Sequence, residues 1–308
     1  MTTLAEANRK YFDSIADTYD LKPWAAAVNQ SIVDAVLSHL DWIGIPLANV
    51  GPDSKDREVR LLDYACGTGL WSRIFSSYVT ETRGIDISPK MLSAYDRHAE
   101  QAGLFPRRVS STIGDLTSKT ESLSPRLSFP DYFNFDIVTV GFAFHHFEDV
   151  LHTARVLKDR LRPGGVLVLN EFLTGGDILA DDEGKMIAGT EGDHAAHNHG
   201  HGHKHGHHHH HGHHSDDRQG HEHKHARQQD SAHDEHEAES RGKMRPPVAV
   251  VSFTVDGVKQ FLSEAGYVDI DAFVLEKKMY IEFDGKKMFR TIFFARARKP
   301  FEEGKSEL

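Results

Sequence analysis

Apolar and polar positions along this chain follow two periods, and each change of period marks an element. Residues 4–20 and 24–43 read as helices. In the second, Trp24, Val28, Ile32, Val36 and Leu40 recur at helical spacing and form one apolar stripe, which predicts packing against a core. Gly51-Pro52-Asp53-Ser54 interrupts the pattern with turn chemistry. Beyond it, apolar runs at 60–65, 82–86, 109–113, 136–141 and 166–171 predict strands, and helical patterns at 70–78, 89–101 and 149–160 predict helices between them. This alternation implies a mostly parallel sheet with helices on both faces. In such sheets a ligand sits at the carboxyl ends of the strands.

The pattern stops at Gly175. Between Thr190 and Arg245 there is no Val, Ile, Leu, Phe, Tyr or Trp, and Met244 is the single large apolar side chain. A segment with nothing to bury leaves its ordering entropy uncompensated, so residues 175–245 are expected to be a disordered insertion. Eighteen of the 23 histidines fall there, from His194 to His236. The pattern resumes near Val248. Thr254 can cap a helix carrying Val258, Phe261 and Leu262, and Gly266 can end it. Strands at about 268–283 and 287–297, joined by Asp284-Gly285, predict a terminal antiparallel hairpin.

At 308 residues the chain can bury a full α/β core. A net charge of −10 argues against nonspecific nucleic-acid binding. The lone cysteine, Cys66, allows no internal disulfide and suits a reducing compartment. The first ten residues carry no signal-peptide apolar core, and no run approaches the ~18 apolar residues of a membrane span. Ser306-Glu307-Leu308 has an acid where a peroxisomal signal has a base. The expectation is a cytoplasmic location, with the nucleus also open, and no membrane contact.

Candidate chemistry concentrates in Leu61-Leu62-Asp63-Tyr64-Ala65-Cys66-Gly67-Thr68-Gly69 and Gly84-Ile85-Asp86-Ile87-Ser88. The first reads as a strand entering a tight glycine loop before a helix, where backbone N–H groups can approach a ligand. Asp86 ends the next strand, where a carboxylate can accept both ribose hydroxyls. A dinucleotide fingerprint would need glycine at position 72; Ser72 stands there, which points away from NAD.

These segments resemble the class I S-adenosylmethionine-dependent methyltransferases. Asp63 to Gly69 is similar to the family's D-x-x-x-G-x-G loop, and Gly84 to Ser88 to its second-strand acidic motif. Gly114-Asp115-Leu116, Asp136 to Gly141 and Leu161 to Val168 resemble the family's later segments, in family order across roughly residues 58–172. Tyr11 to Asp20 resembles the N-terminal lid of the ubiquinone/menaquinone-biosynthesis branch. The resemblance implies a Rossmann-like, doubly wound, seven-stranded and mostly parallel sheet with a terminal antiparallel hairpin. It also implies a helical lid over 1–47, a cofactor-binding domain over 58–174 and 246–299, and S-adenosyl-L-methionine (SAM) as cofactor. Carried over by motif, Asp63, Ala65, Gly67 and Gly69 would line the methionine half of SAM and Asp86 would hold the ribose. Ile87, Asp115 and Leu116 would flank adenine, and Tyr11 and Tyr19 would close over the site or pack within the lid.

Methyl transfer needs alignment of donor and acceptor, and a base where the acceptor must lose a proton. His145 and His146 follow the fourth strand; an imidazole there can be a general base, or it can pack beneath the lid or cap the next helix. Nucleic-acid amino-methylation is excluded because Gly-Phe-Ala-Phe stands where that class has Asn/Asp-Pro-Pro-aromatic. Cytosine C5 and arsenic methylation need thiols the chain lacks. The metal-dependent catechol type has an acid where Gly141 stands. What remains is O-, N-, S- or C-methylation of a small molecule, with a regulatory SAM-binding subunit as the alternative. The histidine tract, including His207, His208, His209, His210 and His211, admits loose binding of divalent metals, a protein partner, a proton-sensing role or no role.

Overall fold

A computed structural model describes residues 3–51, 54, 56–104, 108–119, 124–195, 248–250, 252–283 and 285–302. Helix α1 (Leu4–Ile15) starts at Thr3, whose hydroxyl accepts the Glu6 N–H at 3.1 Å. It tightens into a 3-10 turn over Ala16–Leu21, so the predicted first helix changes character before its end. Helix α2 (Pro23–Ser38) opens on proline, which needs no backbone partner there. Its stripe behaves as expected: Val28, Ile32 and Val36 are buried, and Trp24 and Leu40 pack partly against the same cluster.

Strands β1 (Arg60–Tyr64), β2 (Glu81–Asp86), β3 (Val109–Ile113), β4 (Phe135–Gly141) and β5 (Leu161–Phe172) pair in parallel in the order β3-β2-β1-β4-β5. Helices α3 (Leu70–Phe75), α4 (Pro89–Gln101) and α5 (Val150–Arg160) lie between them in sequence. The order reverses between β1 and β4, where doubly wound sheets open a crevice for a ligand. Alternation along β5 sorts the core into two layers. Leu167 and Leu169 join the cluster containing Leu157 of α5, and Val166 and Val168 join the cluster of α2 and α3.

After β5 the chain adds β6 (Ile178–Leu179), α6 (Val255–Glu264), β7 (Val268–Val274), β8 (Met279–Phe283), β9 (Lys286–Arg290) and β10 (Ile292–Arg298). Thr254 caps α6 as expected, accepting the Gly257 N–H at 3.0 Å. The predicted single hairpin is two nested ones. β7 and β10 complete the seven-stranded sheet as antiparallel neighbours, whereas β8 and β9 separate into a three-stranded sheet with β6. The break lies between Leu275, whose N–H donates to Ile292, and Lys278, whose Nζ donates to Gly176 O and Thr291 Oγ1. Period alone cannot register this break, because burial resumes in step at Met279 and Ile281.

Residues 175–195, assigned above to the disordered insertion, are instead ordered around a buried polar centre. Asp177 is 1 % exposed, pairs with Arg290 Nε at 3.0 Å and accepts the Ala195 N–H at 3.2 Å. Its main chain bonds Gly192 in both directions. Composition missed this because hydrogen bonds and one buried ion pair, rather than apolar side chains, organise the segment. Residues 196–247, with the candidate metal ligands His207 to His211, lie outside the described residues. All described residues belong to one compact unit, entered up to residue 196 and again from 245. No helix among them is long and apolar enough to cross a membrane.

Candidate active site

The loop after β1 is built from behind. Asp63 is 1 % exposed, and its carboxylate accepts the Ser72 N–H at 3.0 Å, the Ser72 hydroxyl at 2.6 Å and the Thr139 hydroxyl at 3.1 Å. It therefore ties β1 to α3 and β4, and Ser72 in place of a third glycine supplies two of the three bonds. Burial pushes the Asp63 carboxyl up to about 7, against the lowering effect of those hydrogen bonds. Ala65 leaves the strand at φ 53°, a left-handed value uncommon outside glycine and frequent at functional sites. Gly69 has φ 89°, and an added Cβ would lie 2.7 Å from the Tyr95 ring, so the close approach of α4 requires glycine. An added Cβ at Gly67 would meet nothing within 4 Å; the loop faces open space on that side.

Asp86 stands at the end of β2 as expected. Its Oδ2 accepts the Gly67 N–H at 2.9 Å and its Oδ1 the Ser88 N–H at 2.8 Å. Burial raises its pKa to about 6, partly offset by backbone N–H donors of Ser88, Gly67 and Ile87. Ile87 is half-buried beside it. After β3, Asp115 Oδ1 accepts the Tyr64 hydroxyl at 3.0 Å and both the N–H and hydroxyl of Thr117. The Leu116 N–H reaches the same Tyr64 oxygen at 3.3 Å, and the Leu116 side chain is buried in the core.

The N-terminal segment crosses these strand ends and is fastened at three points. Asn8 Nδ2 donates to His146 O at 3.3 Å, Asp13 accepts from the Ser88 hydroxyl at 2.6 Å, and Asp20 accepts from the Thr68 hydroxyl at 3.3 Å. Phe12 stands edge-on to Tyr11, Tyr19 and His146. Tyr19 is 38 % exposed, yet the surroundings of its hydroxyl raise its pKa to about 12, through burial first and then Asp20, Tyr11 and Asp86.

At the ends of β4 and β5 the two histidines make different contacts. His145 Nδ1 lies 2.9 Å from Glu171 Oε2 and 3.1 Å from Oε1, and the His145 N–H donates to Oε1 at 3.2 Å. The Glu171 side chain is 1 % exposed and that of His145 13 %. The His146 ring packs on Phe12. The returning chain reaches this turn too, with the Ala249 N–H on His145 O at 2.8 Å.

On the opposite face, Trp71 of α3 passes over Gly141 to donate its Nε1 hydrogen to Asn170 Oδ1 at 3.2 Å. A Cβ at Gly141 would sit 2.2 Å from that indole nitrogen, which explains glycine at this strand end. Asn170 is 1 % exposed, and its Nδ2 has no hydrogen-bond partner among the described residues. Phe142, which follows Gly141, has φ 47° and stacks on Phe172 at 4.5 Å. Glu171, Asn170 and Trp71 were not singled out from the sequence. The available signal was Asn170-Glu171, two adjacent polar residues closing the otherwise apolar run of strand five.

A nucleoside-bearing ligand fits this edge: open space lies over Gly67, a carboxylate with remaining acceptor capacity stands at Asp86, and Asn170 carries an orphaned buried donor. The methyltransferase-domain family matches residues 62–169, the stretch that holds every one of these strand-end residues except those just past it in β5. That stretch is similar to methyltransferase domains. An uncharacterized methyltransferase of Schizosaccharomyces pombe is 30 % identical over 133 residues, 43 % of this chain and 45 % of that protein. A ubiquinone/menaquinone biosynthesis C-methyltransferase of Ectopseudomonas mendocina is 34 % identical over 188 residues, 57 % of this chain and 61 % of that protein. The chain thus spans about half to three-fifths of the length of these relatives. A phosphoethanolamine N-methyltransferase of Haemonchus contortus, solved with S-adenosylhomocysteine, shares the fold. Its TM-score is 0.50 at 12 % identity, covering 97 % of this chain and 61 % of that one. Among the described residues no three His, Cys, Asp or Glu side chains converge on a metal position.

Proposed function

We propose that the chain transfers a methyl group from SAM to a small organic acceptor. When bound, SAM would supply a methyl group made electrophilic by its sulfonium sulfur. Asp86 holds the ribose with the acceptor sites that Gly67 and Ser88 leave free, since each carboxylate oxygen can accept twice. Ile87, Asp115 and Leu116 bound the adenine side. Ala65, Gly67 and Gly69 give backbone access beneath the methionine half, and Asp63 acts from behind by holding the loop's shape. Tyr11 and Tyr19, on the segment fastened by Asn8, Asp13 and Asp20, cover the site and exclude water.

His145 is the base for an acceptor that must lose a proton. A Nδ1–H donated to Glu171 leaves Nε2 as the free lone pair, and the buried carboxylate stabilises the imidazolium once the proton has moved. His146 packs under the lid. The His146 and Phe172 rings beside His145, with Phe12 against His146, suit a planar acceptor. Relatives named for quinone biosynthesis point the same way.

The observation that carries this reading is the coincidence of the glycine loop, Asp86 and the His145–Glu171 pair on one edge of one sheet. The test is release of S-adenosylhomocysteine on incubation with SAM and panels of phenols, hydroquinones, thiols and amines. Turnover with one panel is expected. SAM binding without turnover on any panel, together with a stable protein partner, would favour a regulatory subunit instead.

A further inference from the structure

The proposed function assigns Asn170 no contact with the ligand. It lies in β5 opposite Gly141, is 1 % exposed, and its Oδ1 is committed to Trp71 Nε1 at 3.2 Å. That bond fixes the amide orientation, because rotating it would set two donors against each other. Its Nδ2 is left as a buried donor with no partner among the described residues. Burying such a group is costly unless something satisfies it. Its neighbours in that layer, Trp71, Val168 and Phe172, belong to an apolar cluster, so the donor has little else to bond.

The sheet order says which part of a ligand would reach it. Asp115 follows β3, Asp86 ends β2, the glycine loop follows β1, Gly141 ends β4 and Asn170 lies near the end of β5. A ligand with adenine at Asp115 and ribose at Asp86 must place its third part across β1 toward β4 and β5. Adjacent strand residues point to opposite faces, so Asn170 and Glu171 divide that end of the sheet between them. His145 and Glu171 hold the proton-transfer side. Asn170 and Trp71 hold the other, Trp71 standing in the first turn of the helix that Gly69 caps.

On the strength of the SAM-dependent reading, we infer that Asn170 Nδ2 donates to the carboxylate of the cofactor's amino-acid tail. A carboxylate only accepts hydrogen bonds, and in this apolar layer a neutral amide donor suits it. Asn170 is thus a binding residue for the cofactor, with Trp71 as the residue that positions it.

The experiment is calorimetric titration of the full chain with two probes. S-adenosylhomocysteine carries the amino-acid tail, and 5′-methylthioadenosine lacks it. Asn170→Leu removes the donor, while Asn170→Asp keeps the acceptor for Trp71 and replaces the donor by an acceptor. Both variants should weaken S-adenosylhomocysteine roughly 10- to 100-fold, the range for losing a hydrogen bond to a charged group, and leave 5′-methylthioadenosine within about twofold. Equal weakening of both probes would mean a general disturbance of the site, and unchanged affinity for both would mean a purely structural amide; either overturns the inference. If the unsubstituted chain binds neither probe, the SAM-dependent reading itself fails, which the two-probe design separates from failure at Asn170.

Discussion

Glu171 holds His145 at two points: its carboxylate lies 2.9 Å from the ring Nδ1, and its Oε1 accepts the same residue's backbone N–H at 3.2 Å. The imidazole is thereby fixed in position and tautomer on the side of the sheet away from Asn170. Removing the proposed base by His145→Ala should lower kcat about 10²–10⁴-fold while leaving S-adenosylhomocysteine affinity nearly unchanged. Glu171→Gln keeps an acceptor for the backbone N–H but loses the charge that stabilises the imidazolium, so it should lower kcat in the same direction. His146→Ala should be the mildest of the three. Near-normal turnover of His145→Ala across pH 6 to 9 would return His145 to a packing role.

Asp63 gives a pH signature in stability. Its pKa is raised from 3.8 in the unfolded chain to about 7 by burial. A raised carboxyl favours the folded state below the unfolded value, and that contribution is lost as pH rises through the folded value. Between about pH 4 and 7 the native chain should therefore lose stability relative to Asp63→Asn. The variant keeps one carbonyl acceptor for Ser72, and its amide can donate to Thr139. Melting temperatures of the two proteins across this window check it; parallel curves would show that Asp63 does not titrate there.

Gly141 is expected to tolerate no side chain. Gly141→Ala would drive a methyl group into the Trp71 indole, whose Nε1 lies 2.2 Å from the added Cβ position. Overpacking of this kind typically costs about 1–3 kcal/mol and would also displace the Trp71–Asn170 bond. Thermal unfolding of the variant reads the cost. An unchanged melting temperature would mean that the indole moves aside freely.

The histidine tract should be separable from the fold. The ordered role of Thr190, Gly192, Asp193 and Ala195 moves the boundary of a clean excision inward, to residues 197–244. Replacing that stretch with a short Gly/Ser linker removes no large apolar side chain except Met244, so melting temperature should change little in metal-free buffer. A large drop would show that the tract contributes to packing.

Much of this was legible in the sequence, for physical reasons that differ from residue to residue. The helices and parallel strands declare themselves because Val28, Ile32 and Val36, or Val166 to Leu169, must be buried at the period of their element. The place of Asp86 at the end of β2 is legible because it closes an apolar run, whereas its hold on the Gly67 and Ser88 N–H groups is not. Glu171 and Asn170 were not, since their meaning depends on His145 and Trp71, residues 26 and 99 positions away in the chain. Asp63 was legible as part of the loop but not as its clamp, because that role depends on Ser72 and Thr139 reaching it from other elements. The order in 175–195 escaped because Asp177 and Arg290 replace apolar burial with a polar one.

The most direct test of the account is calorimetric titration of S-adenosylhomocysteine into the full chain and into Asp86→Ala, at pH 7.5 and at pH 5. The native chain should bind, and Asp86→Ala should lose about 1.5–3 kcal/mol through the missing charge-assisted bonds to the ribose hydroxyls. Because burial holds the Asp86 pKa at about 6, native affinity should fall toward pH 5 as the carboxylate protonates, and that fall should be absent in Asp86→Ala. Equal affinity of the two proteins at both pH values would contradict the placement of the ribose, and no binding by the native chain would contradict the central claim.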